Sequence, residues 1–322
     1  MPSPPSSSTS PSAPQLASAA VARSLAICTL FIALSTWCTL YNKYIFENIF
    51  RSSNCLLFVQ NLITVVVLVT GKAFGWLEFR PSFGATDWIT GAMYGVNVMT
   101  GLWSLVFVNI AIFSTLKRCT VVFSWMIEYV FTRTATTSAS LGPLAVMLVG
   151  TLMAGYFDLQ FSGVGYLLSA ISCLTQASAF ELGRRMTSEN KGVCSVLLIN
   201  SLASVGMQLA MITFTGEIQL LFPQNLNTPL LLHFLLNALS CLAMNYSIFL
   251  NCQVNSPLAH AVTGNIKAVM TTLIGILLFT SRLEFLGWVG IMGNFVGAAW
   301  FSWLKLEANT KKVPKDESKS VV

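Results

Sequence analysis

The chain has 322 residues, of which 54% are hydrophobic and only 9% are charged, and its mean hydropathy is +0.69. Soluble globular domains carry about 25% charged residues, so this composition excludes a soluble domain and indicates a polytopic membrane protein embedded in a lipid bilayer. The formal net charge is +6, but the sequence has no basic run interleaved with aromatic residues, which argues against nucleic-acid binding.

The first 20 residues are rich in Ser, Pro and Ala and contain no charged side chain, which predicts a disordered cytosolic tail. Ten mostly apolar stretches follow, each close to the length of about 20 residues that a membrane-spanning helix needs. They are residues 21–41, 54–73, 86–109, 113–131, 140–157, 161–181, 193–215, 229–250, 258–279 and 284–304. Residues 306–322 are polar again and are predicted to be a second disordered cytosolic tail. The predicted fold is therefore all-α, with ten transmembrane helices.

The basic residues of the loops predict the orientation. If both termini are cytosolic, as ten spans allow, the cytosolic side holds 12 Lys and Arg residues and the opposite side holds three. Cytosolic loops are enriched in Lys and Arg, so this orientation is favoured. The remaining basic residues, Lys117, Arg118 and Lys267, lie inside predicted spans.

Two of these intramembrane lysines hold the same rank in the two halves of the chain. Lys117 is in the fourth span and Lys267 in the ninth, 150 residues later. Because each half contains an odd number of spans, the second half enters the membrane inverted. The sequence therefore predicts a five-plus-five inverted repeat, residues 21–157 and 158–305, with a substrate site near the midplane between the halves.

A lysine near the centre of a membrane helix costs about 2.5–3.5 kcal/mol on insertion scales. Lys267 lies about nine residues into its span, and acidic residues within the spans are scarce, chiefly Glu128 and Glu181. We therefore predict that Lys267 faces a water-filled cavity and binds a phosphate or carboxylate there. The alternative is a lysine that snorkels to the interface or pairs with an acid.

Lys117 and Arg118 lie close to the start of their predicted span, so snorkelling to the membrane interface is a stronger alternative for them. Adjacent helix residues point about 100° apart, and only one of the two can face the cavity squarely. We predict that at least one of them contacts the substrate.

Small and polar residues precede Lys267 and suit a polar ligand. Gly264 permits close backbone approach, the Asn265 amide both donates and accepts hydrogen bonds, and the Thr263 side chain supplies a hydroxyl. Other polar residues inside the spans are predicted to line the cavity, with hydrogen bonding between helices as the alternative: Tyr94, Asn97 and Asn200.

Close helix packing is predicted where glycines are spaced four apart, at Gly91/Gly95 and Gly293/Gly297, with homodimerisation as a second interpretation. The eight cysteines form no CxxC or Cys/His pattern and are predicted to be buried small hydrophobic side chains. His233 and His260 lack metal-ligand partners at helical spacing, and the sequence has no HExxH motif, paired intramembrane carboxylates or Ser/His/Asp set. We therefore predict no metal, no cofactor and no enzyme activity.

Several of these residues together resemble a known family. The ten spans, the basic pair in Leu116-Lys117-Arg118 and the motif Thr263-Gly264-Asn265-Ile266-Lys267 resemble the nucleotide-sugar and triose-phosphate transporter branch of the drug/metabolite transporter superfamily, over about residues 21–305. Tyr41-Asn42-Lys43 is similar to the Asn-Lys found at that place in relatives. The resemblance implies that Lys267 contacts nucleotide phosphates and adds Asn42 and Lys43 to the site.

The resemblance also bears on the substrate. Plastid phosphate translocators carry Lys-Arg where this chain has Lys267 followed by Ala268, which disfavours triose phosphate. GDP-mannose carriers have Phe-Tyr-Asn-Asn in span seven, where this chain has Leu198-Ile199-Asn200-Ser201. The TGNIK motif is more similar to UDP-sugar carriers. The resemblance therefore implies a UDP-sugar antiporter that returns nucleoside monophosphate, with transport of GDP-mannose or a sugar phosphate as the alternative.

The C-terminal residues bear on the compartment. Val321-Val322 resembles the terminal dihydrophobic signals used to leave the endoplasmic reticulum. Lys319 is followed by Ser320, so the dilysine retrieval pattern is incomplete. The expected location is the Golgi membrane, with the endoplasmic reticulum membrane as the alternative.

Overall fold

The structure, a computed structural model, describes residues 13–79, 84–132, 141–186, 192–222, 227–255, 257–279 and 284–310. These residues form eleven α-helices and one short 3-10 helix, Glu217–Leu221, and contain no β-strand. The helices are α1 Ala13–Asn48, α2 Ser53–Ala73, α3 Ala85–Phe107, α4 Ile110–Arg118, α5 Thr120–Thr132, α6 Leu141–Tyr156, α7 Gly163–Met186, α8 Val193–Phe214, α9 Thr228–Val254, α10 Pro257–Leu278 and α11 Phe285–Thr310.

Each predicted span overlaps one of these helices or, for span four, the pair α4 and α5. Among the described residues, six helical stretches are long and apolar enough to cross a membrane, and two shorter helical stretches, Leu141–Tyr156 and Val262–Leu278, are also apolar. The all-α polytopic membrane fold is confirmed, while the division into ten spans with inverted symmetry stays a prediction. The first helix begins at Ala13, inside the predicted tail, and residues 1–12 and 311–322 lie outside the described residues.

Polar residues at the helix starts explain where several helices begin. The Ser52 hydroxyl accepts a hydrogen bond from the Cys55 amide at the start of α2, and the Asn109 side chain accepts one from the Ile112 amide at the start of α4. These side chains satisfy amide groups that have no partner within the first helical turn. The polar residues in the short loops therefore stop one helix and start the next.

Span four differs from the prediction because a break divides it into two helices. The sequence predicts one continuous span over 113–131, but α4 ends at Arg118 and α5 starts at Thr120. The Cys119 amide donates to the Leu116 carbonyl, one residue short of the α-helical partner. The Thr120 hydroxyl donates to the Lys117 carbonyl at 2.8 Å and so competes with the backbone ladder at this point. The break directly follows the intramembrane basic pair.

The tightest helix packing joins α6 to α11, and glycines make it possible. A Cβ atom added at Gly150 would lie 2.6 Å from the Asn294 nitrogen, and one added at Gly297 would lie 2.8 Å from the Met147 nitrogen. Gly91 and Gly95 of α3 pack in the same way against α8. Both predicted glycine spacings are therefore occupied by helix packing within this chain.

Five helices form a closed ring of contacts. α1 contacts α10, α10 contacts α4, α4 contacts α7, α7 contacts α3, and α3 contacts α1, while α9 packs on α1 and α2. The ring includes α4 and α10, the two helices that carry the intramembrane lysines.

Candidate functional site

Lys117 lies in a cluster of neutral polar groups between α3, α4 and α7. Its ammonium donates to the side-chain oxygens of Asn97 at 3.0 Å, Ser172 at 2.7 Å and Gln176 at 3.2 Å. An ammonium group has three N–H donors, so these three acceptors satisfy it completely. Gly101 makes room for the arrangement, because a Cβ atom there would lie 2.9 Å from the Ser172 hydroxyl.

Lys267 lies at the middle of α10 and is partly buried. Among the described residues, no hydrogen bond or ion pair holds its ammonium. The group is close enough to the Lys117 ammonium for electrostatic repulsion, and it also interacts with the Cys38 thiol of α1. Two like charges near the centre of a membrane bundle attract an anion between them.

Tyr94 and two residues of α9 extend the polar region beyond the lysines. Tyr94 lies one turn before Asn97 on α3, and its hydroxyl donates to the Asn245 side chain at 2.9 Å. Cys241, one turn before Asn245, interacts electrostatically with the Cys38 thiol, the same group that interacts with Lys267. The structure therefore brings Tyr94 and Asn97 into one region with both lysines.

Arg118 points elsewhere, as the 100° rotation between adjacent helix residues requires. Its side chain is only 7% exposed, and the guanidinium carbon lies 3.5 Å from the centroid of the Phe295 ring of α11. None of its three guanidinium nitrogens has a hydrogen-bond partner among the described residues. Lys117 and Arg118 thus contact different helices, and Lys117 is the one on the side of Lys267.

The residues before Lys267 on α10 face three directions. The Asn265 amide donates to the Ser302 hydroxyl of α11 at 2.9 Å, and the Thr263 hydroxyl contacts the Cys28 thiol of α1 at 3.3 Å. Gly264 faces open space, since no heavy atom lies within 4 Å of an added Cβ atom. Within this motif, Gly264 is therefore the residue that leaves room for a ligand.

Lys43 and Asn42 of α1 hold neighbouring helices. The Lys43 ammonium donates to the Leu105 and Val108 carbonyls at 3.0 and 3.2 Å, at the end of α3 where carbonyls lack helical partners. The Asn42 side chain accepts from the Asn237 amide of α9 at 2.8 Å and from the Gln60 amide of α2 at 3.3 Å. These contacts lie away from the two central lysines.

Two further predicted residues, Asn200 and Ser201, are buried on α8, which packs against α2 and α3. Ser172 and Gln176 were not among the predicted site residues. A serine in an apolar span has no pattern that distinguishes a ligand of Lys117 from a residue that bonds its own helix, so sequence reasoning had no signal for it.

Two apolar grooves of about 350 and 250 Å³ are present, and neither contains the lysines. The first lies between α2 and α9 and is lined by Val59, Ile63 and Phe234 among others, and the second lies between α5 and α7. Their apolar lining makes them unsuitable for an anion.

Comparison with known proteins fits this arrangement. A protein of Dictyostelium discoideum named as a UDP-sugar transporter is 31% identical over 265 residues, which are 80% of this chain and 69% of that protein. The chain belongs to the nucleotide-sugar transporter family. Members of this family carry substrates across membranes rather than transform them, so this transporter is not an enzyme.

Other relatives of the transporter are more distant. A UDP-N-acetylglucosamine transporter of Arabidopsis thaliana is 28% identical over 218 residues, 66% of this chain and 63% of that protein. A GDP-mannose transporter of the same plant is 23% identical over 288 residues, 83% of this chain and 84% of that protein. No family model matches the transporter. A solved crystal structure is similar with a TM-score of 0.55 and 15% identity, over 89% of this chain and 99% of that one, which shows a shared fold alone.

Proposed function

We propose that this transporter carries UDP-sugars from the cytosol into the lumen of the secretory pathway in exchange for nucleoside monophosphate. Transport proceeds by alternating access around a site between the two halves. Lys117 and Lys267 are proposed to bind the diphosphate, and Tyr94, Asn97 and Gly264 are proposed to lie beside these two lysines. The remaining candidate residues are proposed to complete and support the site: Thr263, Asn265, Asn200, Ser201, Arg118, Asn42 and Lys43.

The observation that carries this proposal is the pair of central lysines. The Lys267 ammonium lies near the middle of α10, the Lys117 ammonium lies in the last turn of α4 at the break within span four, and the two ammonium groups repel each other electrostatically. Burying two like charges is costly unless an anion lies between them. The diphosphate of a nucleotide sugar carries two negative charges at neutral pH and matches the pair in charge and number.

The helix packing supports the five-plus-five inverted repeat. When α4 and α5 are counted as one span, the most extensive helix contacts have counterparts five spans later. The pairing of α3 with α7 corresponds to that of α9 with α1, and the pairing of α3 with α8 corresponds to that of α9 with α2. The pairs α2 with α8 and α6 with α11 are their own counterparts, as expected for elements next to a two-fold axis.

UDP-sugars are preferred as substrates because the relatives with 31% and 28% identity are named as UDP-sugar and UDP-N-acetylglucosamine transporters. GDP-mannose remains the second candidate, since a GDP-mannose transporter is also similar over most of both chains. We also propose the Golgi membrane as the site of exchange, with the endoplasmic reticulum membrane as the alternative.

Reconstitution tests the substrate class. Purified transporter in liposomes preloaded with UMP, GMP, CMP or inorganic phosphate is offered a panel of labelled nucleotide sugars. We expect uptake of UDP-sugars that depends on internal UMP. Preference for GMP-loaded vesicles and GDP-mannose would select the second candidate, and exchange with phosphate alone would reject nucleotide-sugar transport.

A further inference from the structure

The surroundings of Lys117 raise a question that the proposed function leaves open. Its ammonium is already bound by three oxygens of Asn97, Ser172 and Gln176 at 2.7–3.2 Å. An ammonium with three donors has none left for a phosphate oxygen. Lys117 can bind a substrate phosphate in this site only if it releases at least one of these acceptors.

The three acceptors are well placed for such an exchange. Their oxygens are neutral, and hydrogen bonds to an ionised acceptor such as phosphate are stronger than those to a neutral one. The cluster is held from both sides, since the Ser172 hydroxyl also donates to the Asn97 carbonyl at 2.7 Å and Gln176 lies 3.4 Å from the Thr120 hydroxyl. The acceptors thus stay in position when the ammonium leaves.

We propose that Ser172 and Gln176 of α7, together with Asn97 of α3, form a cage that satisfies the Lys117 ammonium in the empty transporter and is exchanged for phosphate when substrate binds. This inference rests on the proposed function and adds two positioning residues, Ser172 and Gln176, to it. The cage stabilises the empty state and therefore competes with the nucleotide for the same ammonium.

This competition predicts a direction of change in nucleotide affinity that other roles of these residues do not predict. Removal of one cage acceptor destabilises the empty state more than the nucleotide-bound state, so the nucleotide binds more tightly. A residue that contacts the substrate directly gives weaker binding when it is truncated. A residue with a purely structural role lowers the thermal stability and leaves the dissociation constant of the nucleotide unchanged.

Gln176→Met removes the acceptor at nearly constant volume. We expect the Kd of the transporter for its nucleoside monophosphate to fall by about tenfold, the scale of one hydrogen bond to a charged group. Gln176→Glu places a carboxylate against Lys117, and we expect the Kd to rise by about tenfold or more because the carboxylate replaces the phosphate as partner. The measurement is nucleotide binding by thermal shift and by isothermal titration in detergent, with UMP, GMP and CMP as probes.

Thr151→Val is the matched control. It removes a buried hydroxyl that accepts from the Asn294 amide of α11 at 2.8 Å and from the Cys119 thiol at 3.4 Å, and that is not one of the acceptors of Lys117. We expect it to lower the melting temperature and leave the Kd unchanged. If Gln176→Met does not fold, Ser172→Ala carries the same test with the same expected sign.

The possible outcomes separate the cage from the proposed function. Absence of nucleotide binding by the unmodified protein, which the liposome exchange would also show, overturns both. Normal binding by the unmodified protein with an unchanged or larger Kd for Gln176→Met overturns the cage and leaves nucleotide-sugar transport standing. A smaller Kd for Gln176→Met and a larger one for Gln176→Glu support it.

Discussion

Lys117 and Lys267 hold equivalent places in the two halves of the chain, yet their surroundings differ. Lys117 has three hydrogen-bond acceptors from α3 and α7 within 3.2 Å. For Lys267, the described residues supply none, and its nearest electrostatic neighbours are another ammonium and a thiol. Lys117 is therefore stabilised by hydrogen bonds from the protein itself, whereas the described part of the chain offers Lys267 no such partner.

From this difference we expect the two lysines to contribute to different steps of the proposed transport cycle. A cation without a protein partner has the most to gain from a ligand, so Lys267 is expected to contribute most of the substrate affinity. A cation that is already satisfied costs little in the empty state, so Lys117 lets the transporter exist without substrate. The same substitution made at each of the two positions can therefore distinguish these roles.

The largest effect is expected for Lys267→Ala. Truncation of one member of a charge pair costs enough binding energy that exchange in liposomes should fall by about a hundredfold or more. The melting temperature should hold or rise, because an unpaired charge leaves the bilayer interior. Unaltered exchange by this variant would remove the central role given to Lys267, and Lys267→Arg, which keeps the charge, is the control that should retain part of the exchange.

Lys117→Met tests the difference between the two lysines through the thermal stability of the protein. It leaves the side-chain oxygens of Asn97, Ser172 and Gln176 without their donor, and the penalty for such groups is about 1–3 kcal/mol each when they are fully buried. We expect a lower melting temperature in detergent, in contrast to Lys267→Met, which should melt at or above the unmodified protein. Equal melting temperatures for the two variants would contradict the difference between the sites.

Arg118→Met extends the comparison to the neighbouring residue. The guanidinium is buried without a hydrogen-bond partner among the described residues, and replacement of such a charge by an apolar side chain is often neutral or stabilising. The lost contact with Phe295 is worth about 0.5–2 kcal/mol and offsets part of this gain. We expect exchange to fall less than tenfold relative to unmodified protein; a loss as large as that of Lys267→Ala would assign Arg118 to the substrate.

The smallest effect is expected for Asn265→Ala, two residues before Lys267. Its amide donates to the Ser302 hydroxyl and the Ala298 carbonyl of α11, so its loss should cost about 1 kcal/mol of stability. The KM for the nucleotide sugar should change by less than about threefold, a fraction of a kcal/mol. A tenfold rise in KM with an unchanged melting temperature would mean that the Asn265 amide contacts the substrate directly.

Much of the site could be predicted from the sequence because charge is so expensive in a bilayer. Lys117 and Lys267 stand out against apolar surroundings, and the polar residues Tyr94 and Asn97 lie on the same face of α3 at a spacing of three. The structure brings these four residues into one region. Contacts of Ser172 and Gln176 with Lys117 could not be predicted, since they depend on how α7 is rotated against α4.

Other residues show the limit of pattern reasoning more clearly. Lys43 was added to the site because Tyr41-Asn42-Lys43 is similar to the Asn-Lys of relatives, but its ammonium donates to the carbonyls at the end of α3. Arg118 has the same chemistry as a phosphate ligand, but one residue of helical rotation turns it toward α11. Residue type predicts what a side chain can bind, and only the surrounding helices decide what it meets.

The sequence by itself determined that the chain lies in a lipid bilayer, because its composition is so poor in charge. It also determined that the apolar stretches form helices, because lipid offers the backbone groups no hydrogen-bond partner and a helix satisfies them internally. It also determined that a cation must lie at the centre of α10. The tertiary structure alone decided the use of the glycine spacings between helices of one chain, and the contrast between Lys117, with its three acceptors, and Lys267, which has none among the described residues. These features depend on distances between residues that are far apart in the chain, and periodicity within one helix carries no information about them.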